Sequence, residues 1–191
     1  MTAAAKQIDW ITPDEYLEGE LTSLVRHEYV SGQVFAMAGA SDDHNRIAGN
    51  LFADLHAHLR GKRCEAFMND MKVRAPENDA YYYPDVIVGC DPSDNNRYFR
   101  ERPSHIFEVI SPETEMIDRR EKMAAYSKIA GIKTYVLLEQ DSIRATVTRW
   151  TGSGPATEVV EGLEGILKLP DIALEIPLSR IYERTTVARK Q

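Results

Sequence analysis

Two stretches of this chain carry a carboxylate where a folded core has least use for one. Tyr81-Tyr82-Tyr83-Pro84-Asp85-Val86-Ile87-Val88-Gly89-Cys90 and Ser104-His105-Ile106-Phe107-Glu108-Val109-Ile110 otherwise read as strand-forming runs. Apolar residues flank Asp85 and Glu108 on both sides in sequence, the pattern of a strand covered on both faces. A sheet of that kind needs further layers above and below it. A buried carboxylate in turn needs a partner, a proton or a cation, because leaving it unpaired costs several kcal/mol.

The rest of the chain supplies those layers. Thr12-Pro13-Asp14-Glu15 reads as a capping box opening a short helix that stops near Gly19. Residues 26–37 read as a hairpin turned by Ser31-Gly32. Ser41 caps a longer helix, with Asp42 and Asp43 at its positive end and Ile47, Leu51, Leu55 and Leu59 as one apolar stripe before Gly61. Strands are expected over 63–68, 71–74, 81–89 and 105–110. Ser111-Pro112-Glu113-Thr114 should end the last of these and lead into a helix over 118–130, closed by Gly131. Further strands over 134–138 and 143–150 precede short apolar runs at 166–169 and 172–176. The expected fold is α/β (α+β), with a mixed central sheet flanked by helices.

Length and composition narrow the class. With 191 residues, 43% of them hydrophobic, the chain can bury one sizeable core, so residues 1–191 are expected to form one domain. No run approaches the ~20 apolar residues of a membrane span. The start, Met1 to Trp10, lacks the apolar core of a signal peptide, and the expectation is a cytoplasmic protein. Cys64 and Cys90 are read as two packed, reduced thiols. A net charge of −7 argues against an indiscriminate nucleic-acid binder, which usually carries a basic excess. A nuclease is compatible with it, since cations mask an acidic cluster and basic residues can act locally. Lys72 with Arg74, Arg97 with Arg100 and Arg102, and Arg119 with Arg120 and Lys122 are the groups that could form such a surface, or remain ordinary solvated charges.

Side-chain alternation puts Asp85 with Ile87, and Glu108 with Ile106 and Ile110. If the two strands are neighbours, one register brings the carboxylates together. Carboxylates that close repel unless a divalent cation lies between them, and Mg²⁺ or Mn²⁺ suits such oxygen ligands. Helical spacing places Lys122 on the face of Asp118, Ala125, Tyr126 and Ile129, so its ammonium could approach the carboxylates.

Read in order, Arg26-His27-Glu28-Tyr29-Val30-Ser31-Gly32, Tyr83-Pro84-Asp85-Val86, Phe107-Glu108-Val109-Ile110-Ser111-Pro112-Glu113-Thr114 and Asp118-Arg119-Arg120-Glu121-Lys122-Met123-Ala124-Ala125-Tyr126 closely resemble the Uma-type restriction endonuclease family. That family is a branch of the PD-(D/E)xK nuclease superfamily, and the resemblance runs from about Thr12 to about Trp150. It implies a restriction-endonuclease-like core, with Asp85 and Glu108 as metal ligands and Glu28 as a further acidic member. It further implies hydrolysis of DNA phosphodiester bonds that leaves a 5′-phosphate. One departure stands out: the superfamily pattern has lysine two residues after Glu108, and this chain has Ile110. The Uma-type branch places its lysine on the following helix, which points to Lys122. Lys72, on a strand before Asp85, competes for that role, and the apolar face of its helix favours Lys122.

Two other functions fit the same residues. A nuclease-fold module that binds nucleic acid or protein without cutting is supported by Ile110, and a metalloenzyme for small phosphoesters suits the negative charge. The runs 135–138 and 143–150 offer strand edge and apolar surface for a homodimer. His56 and His58 point apart on their helix, and His44 reads as a capping or packing residue rather than a catalytic one, although members of the resembled family often carry a histidine there. His27 and His105 alternate away from Glu28 and Glu108. No Cys/His spacing for zinc and no nucleotide-binding glycine motif is present.

Overall fold

In the computed structural model, which describes residues 10–110 and 117–190, the capping chemistry near the start forms as the sequence predicts. The Thr12 hydroxyl accepts from the Glu15 N–H at 3.3 Å, and the Glu15 carboxylate accepts from the Thr12 N–H at 2.8 Å, opening α1 (Pro13–Glu20). Ser31 and Gly32, at φ 45° and 81°, turn β1 (His27–Val30) back into β2 (Gln33–Ala36). Any side chain at Gly32 would run into the Trp10 ring. Ser41 caps α2 (Asp42–Leu59), its hydroxyl accepting from the His44 N–H at 3.0 Å. The predicted stripe Ile47, Leu51, Leu55 and Leu59 is buried.

The next strands are β3 (Glu65–Met68), β4 (Lys72–Ala75), β5 (Ala80–Tyr82), β6 (Val86–Gly89), β7 (Phe99–Arg100) and β8 (Pro103–Ile110). Here the structure departs from the sequence reading. The run 81–89 is two strands in two different sheets, and Asp85 precedes the second of them. Pro84 explains the break, because it has no N–H to give a ladder and holds the residue before it extended. One sheet has the order β2-β1-β5-β4-β7. The other has the order β11-β10-β9-β8-β6-β3, with β9 (Thr134–Glu139), β10 (Arg144–Thr151) and β11 (Gly154–Glu161). β8 and β9 run parallel within otherwise antiparallel neighbours, so the sheet is mixed.

The helix expected over 118–130 is shorter and wider. A π-helical turn, Ile117–Lys122, runs into the single α-turn α3 (Met123–Tyr126), and Gly131 at φ 88° ends the segment. The segment 111–114, expected to end β8, lies outside the described residues. β12 (Ile166–Leu169) and β13 (Leu174–Pro177) form a two-stranded sheet, followed by α4 (Leu178–Ile181).

The six-stranded sheet has a core on each face. Val86, Val88, Phe107, Val109, Val136 and Leu138 face α2 and the C-terminal segment. Ile87, Ile106, Ile110, Tyr135 and Leu137 face α3 and the five-stranded sheet. Leu51 and Leu55 are fully excluded from solvent, and truncating either to alanine would cost about 3 kcal/mol.

Two expectations are corrected. Cys64 and Cys90 are joined in a disulfide, with Cα atoms 4.1 Å apart, rather than lying as reduced thiols. Their 26-residue separation hides this in the sequence, but Glu65 pairs with Gly89, so the next residues outward, Cys64 and Cys90, face each other. The strands expected to offer a dimer edge offer none, since β9 lies between β8 and β10, and β10 between β9 and β11. Among the described residues no helix is long and apolar enough to cross a membrane.

A polar row crosses the helix-facing side of the six-stranded sheet. His105, Thr134 and Arg149 oppose one another on β8, β9 and β10. His105 Nε2, Thr134 Oγ1 and Arg149 Nε are all buried without a hydrogen-bond partner. The Ser104 hydroxyl donates to the Val88 carbonyl at 2.9 Å, so His105 Nδ1 donates to Ser104 and Nε2 carries the lone pair. Burial, with Arg149 and Lys133 adding to it against the pull of Asp171, lowers the His105 pKa to about 4. The native imidazole is therefore neutral, and the unfolded chain takes up a proton first, below an ordinary value of 6.5. Stability carried by neutral His105 is fully present above that value and is lost as pH falls toward about 4, a total of about 3 kcal/mol. Urea unfolding of the native chain and of His105→Leu between pH 7 and pH 4 should show the native chain losing about that much more. Identical pH slopes for the two would remove His105 from this role.

Candidate active site

The antiparallel pairing of β6 with β8 decides the site. Val86 opposes Phe107, so the next pair along that ladder is Asp85 and Glu108. Both lie on the face of Ile87, Ile106 and Ile110, as alternation predicts. Asp85 is fixed although it stands outside the strand. Its carbonyl accepts from the Asn69 N–H at 3.1 Å, and its Oδ2 accepts from the Val109 N–H at 2.7 Å.

A lysine joins the other two carboxylates. Lys122 Nζ lies 3.0 Å from Glu28 Oε1 and 3.2 Å from Glu108 Oε1. The Tyr126 hydroxyl donates to the same Glu108 oxygen at 3.2 Å, and the Tyr83 N–H donates to Glu28 Oε1 at 3.2 Å. Lys122 and Glu108 are buried, at 7% and 4% exposure. The ammonium also lies over the Tyr82 ring, 5.7 Å from its centroid. The Tyr82 hydroxyl donates to Glu121 at 3.2 Å, and burial together with that carboxylate raises the phenol pKa well above its usual value. Three layers meet here: Glu28 from the five-stranded sheet, Glu108 from the six-stranded sheet, and Lys122 from the turn that packs over both.

The structure thus brings Glu28, Glu108 and Lys122 together and sets Asp85 opposite Glu108. Lys72, the competing lysine, is buried elsewhere, with its Nζ 5.0 Å from the centroid of the Tyr83 ring. Burial lowers the Lys72 pKa, against the attraction of Glu20 and Asp70. Ile110, where the resembled pattern has lysine, is buried in the apolar core at 3% exposure. Several members of the basic groups picked out from the sequence are paired with carboxylates, Arg74 with Glu101, Arg102 with Asp91 and Arg119 with Glu139, while Arg97 and Arg120 are exposed.

His44, read from the sequence as a capping or packing residue rather than a catalytic one, stands beside the cluster, with Nε2 3.3 Å from Asp85 Oδ2. Ser41 sets its backbone at the start of α2. The available sign was its place in the first helical turn beside the Ile47 stripe, but only the tertiary fold brings that turn to Asp85. The other histidines take structural partners, His27 with Glu20 at 2.8 Å and His58 with the Ile172 carbonyl at 2.8 Å.

Carboxylate oxygens of this kind suit a hard divalent cation. Among the described residues no three His, Cys, Asp or Glu side chains converge as a ligand set. Two adjacent carboxylates fit Mg²⁺, which keeps several waters and takes the rest of its ligands from substrate phosphate. A cavity of about 580 Å³ between β10, β11 and the β12–β13 sheet shares no residue with this cluster, and its lining includes Arg149, Glu158 and Lys168. The charge constellation is therefore the better candidate for chemistry.

Removing the cation between buried Glu108 and partly buried Glu28 should be costly. Lys122→Met is expected to lower stability by about 3 kcal/mol in urea unfolding, and a triple variant that adds Glu28→Gln and Glu108→Gln should recover much of that loss. A Lys122→Met variant as stable as the native chain would show that the ion cluster does not hold the layers together.

Comparison with known proteins bears on the family and the fold. Residues 13–179 match the family model described as "Uma2: Putative restriction endonuclease". The uncharacterized protein slr1290 of Synechocystis sp. (strain ATCC 27184 / PCC 6803 / Kazusa) is 32% identical over 173 residues, covering 90% of this chain and 91% of its own length. A second protein of that organism, the uncharacterized sll1609, is 32% identical over 133 residues, 68% of this chain and 75% of its own. A crystal structure described as a "putative nuclease belonging to DUF820" from Anabaena variabilis ATCC 29413 superposes with a TM-score of 0.72 at 17% identity, covering 90% of this chain and 97% of that one. That likeness shows the fold, which is restriction-endonuclease-like. On the match over 13–179, the chain belongs to the Uma2 restriction endonuclease family.

Proposed function

We propose that this chain is a metal-dependent endonuclease that hydrolyses DNA phosphodiester bonds. The observation that carries the proposal is the placement of Asp85 opposite Glu108, with Lys122 on Glu108 and Glu28. Asp85 and Glu108 would hold Mg²⁺ or Mn²⁺, with Glu28 as a further acidic ligand or an orienter of outer water. When bound, the ion supplies polarisation of the scissile phosphate and a more acidic water.

The remaining work falls to the chain itself. Lys122 orients the attacking water or stabilises charge building on the phosphate oxygens, acting from a dry, fixed position. The Tyr126 hydroxyl and the Val109 N–H hold Glu108 and Asp85 in orientation, so little reorganisation is needed during reaction. His44 Nε2 lies beside the same Asp85 oxygen and offers a ring nitrogen for a proton transfer at that carboxylate. Attack in line with the leaving 3′ oxygen leaves a 5′-phosphate.

A second reading rests on Ile110, buried where the resembled pattern has lysine, and on the engagement of Lys122 by two carboxylates. It makes the chain a nuclease-fold module that binds without cutting. Supercoiled plasmid incubated with Mg²⁺, Mn²⁺ or EDTA separates the two. Metal-dependent nicking is expected from the native chain, with a loss on the order of 10²-fold or more in both Asp85→Asn and Lys122→Ala. Loss in Asp85→Asn alone would keep the carboxylate site and remove Lys122 from the reaction. Undiminished nicking by Asp85→Asn would sink the site, and no nicking by folded native protein would favour the binding module.

A further inference from the structure

The site has an aromatic neighbour that lies outside the buried core clusters. Phe35 on β2 is the direct cross-strand partner of Glu28 on β1. Residues opposed in this way project from the same face of a sheet, with Cα atoms about 5 Å apart. The Glu28 side chain reaches Lys122, so the face that carries Phe35 is the face that carries the site. Phe35 is nonetheless 50% exposed, and β2 is the outermost strand of its sheet. By contrast, Val34 alternates to the other side and packs with Tyr16, Tyr29 and Tyr81. Gln33, exposed and two residues from Phe35, presents an amide on the same face.

Charge sharpens the question of what this face binds. Duplex binders draw affinity from cations that displace counterions along two phosphate backbones. This chain carries a net charge of −7, and Arg26, Arg46 and Lys122 are each engaged by carboxylates, Arg26 by Asp70, Arg46 by Asp42, and Lys122 by Glu28 and Glu108. Affinity for a nucleic acid then gains most from contacts that do not depend on net charge. Stacking of a base on an aromatic ring is such a contact, and it requires a base whose face is free of its neighbours.

We propose that Phe35 is a base-stacking residue of this site and that the substrate strand it receives is single-stranded or locally unpaired. The inference rests on the nucleic-acid reading above and deepens it by naming the substrate class. The ring takes the base adjoining the scissile phosphate, Gln33 lies within reach of that base's edge, and the carboxylate–lysine cluster meets the phosphate.

Fluorescence anisotropy in EDTA, where no metal-dependent cutting occurs, tests this with the full chain and a labelled 12-nucleotide oligothymidine against a duplex of equal length. The native chain should bind the single strand more tightly than the duplex, with a shallow dependence on salt. Phe35→Ala should weaken single-strand binding by about 5- to 150-fold, and Phe35→Trp should restore it, with the new indole fluorescence quenched on binding. Equal binding by native and Phe35→Ala, a preference for duplex, or no binding of either oligonucleotide would each overturn the proposal. So would a change in oligomeric state on Phe35→Ala with oligonucleotide affinity intact, which would make the β2 face a contact between copies of the chain. Failure of the nuclease reading appears elsewhere: stacking-dependent binding without metal-dependent cleavage of the single strand leaves the Phe35 proposal standing and identifies a binding module. Cleavage with binding indifferent to Phe35 does the reverse.

Discussion

One ammonium group ties the layers of this protein together. Lys122 reaches Glu28 from the five-stranded sheet and Glu108 from the six-stranded sheet, from a turn packed over both. Its surroundings are mostly apolar, with Ala125, Tyr126 and Ile129 beside it in the buried cluster that spans the two sheets. In such surroundings each charge is expensive alone and tolerable only with its partner. The cluster therefore fixes where the two sheets and the turn meet, and it does so with groups whose chemistry suits phosphate as well as structure. Replacement by apolar side chains of similar volume would serve packing equally well. Retention of two carboxylates and an amine in a dry interface is thus an argument for function, made from energetics alone.

The second constraint is the break at Tyr83-Pro84-Asp85. Had the run 81–89 continued as one strand, it would have stayed within a single sheet. Instead Pro84 ends the pairing, and the chain passes from one sheet to the other. Asp85 then sits at the entry to β6, in line with its ladder and held by the Asn69 and Val109 amides and by His44. The same passage carries the Tyr83 N–H to Glu28. A short irregular segment thus sets two of the carboxylates, which is why a proline beside an aspartate carries meaning here that the dipeptide alone does not.

Much of this was legible in the sequence because it depends on local rules. Thr12, Ser41 and the Ser31-Gly32 turn announce their elements through capping and positive φ, and α2 shows its buried side by periodicity. Strand alternation placed Glu108 with Ile106 and Ile110, and helical spacing brought Lys122 to Tyr126. What stayed hidden depends on pairing at a distance. The Cys64–Cys90 link follows from the register of β3 with β6, the position of His44 from where α2 lies over the sheet, and the closure of β9 from its neighbours β8 and β10. No local pattern encodes a register, and one residue of slip would have reversed every face.

The lysine illustrates how far geometry can stand in for a motif. A lysine two residues beyond Glu108 would project from the same strand face and reach the site from within the sheet. Here that position is Ile110, buried against the helical turn, and the amine arrives from the turn itself. The two routes deliver the same charge to the same carboxylate, but they differ in what they allow around it. An amine on the sheet keeps its position when the covering turn moves, whereas one on the turn moves with it. The turn is a widened, π-helical one, a rare conformation found mostly as single turns. Charge compensation at Glu108 is thereby coupled to the conformation of a single segment.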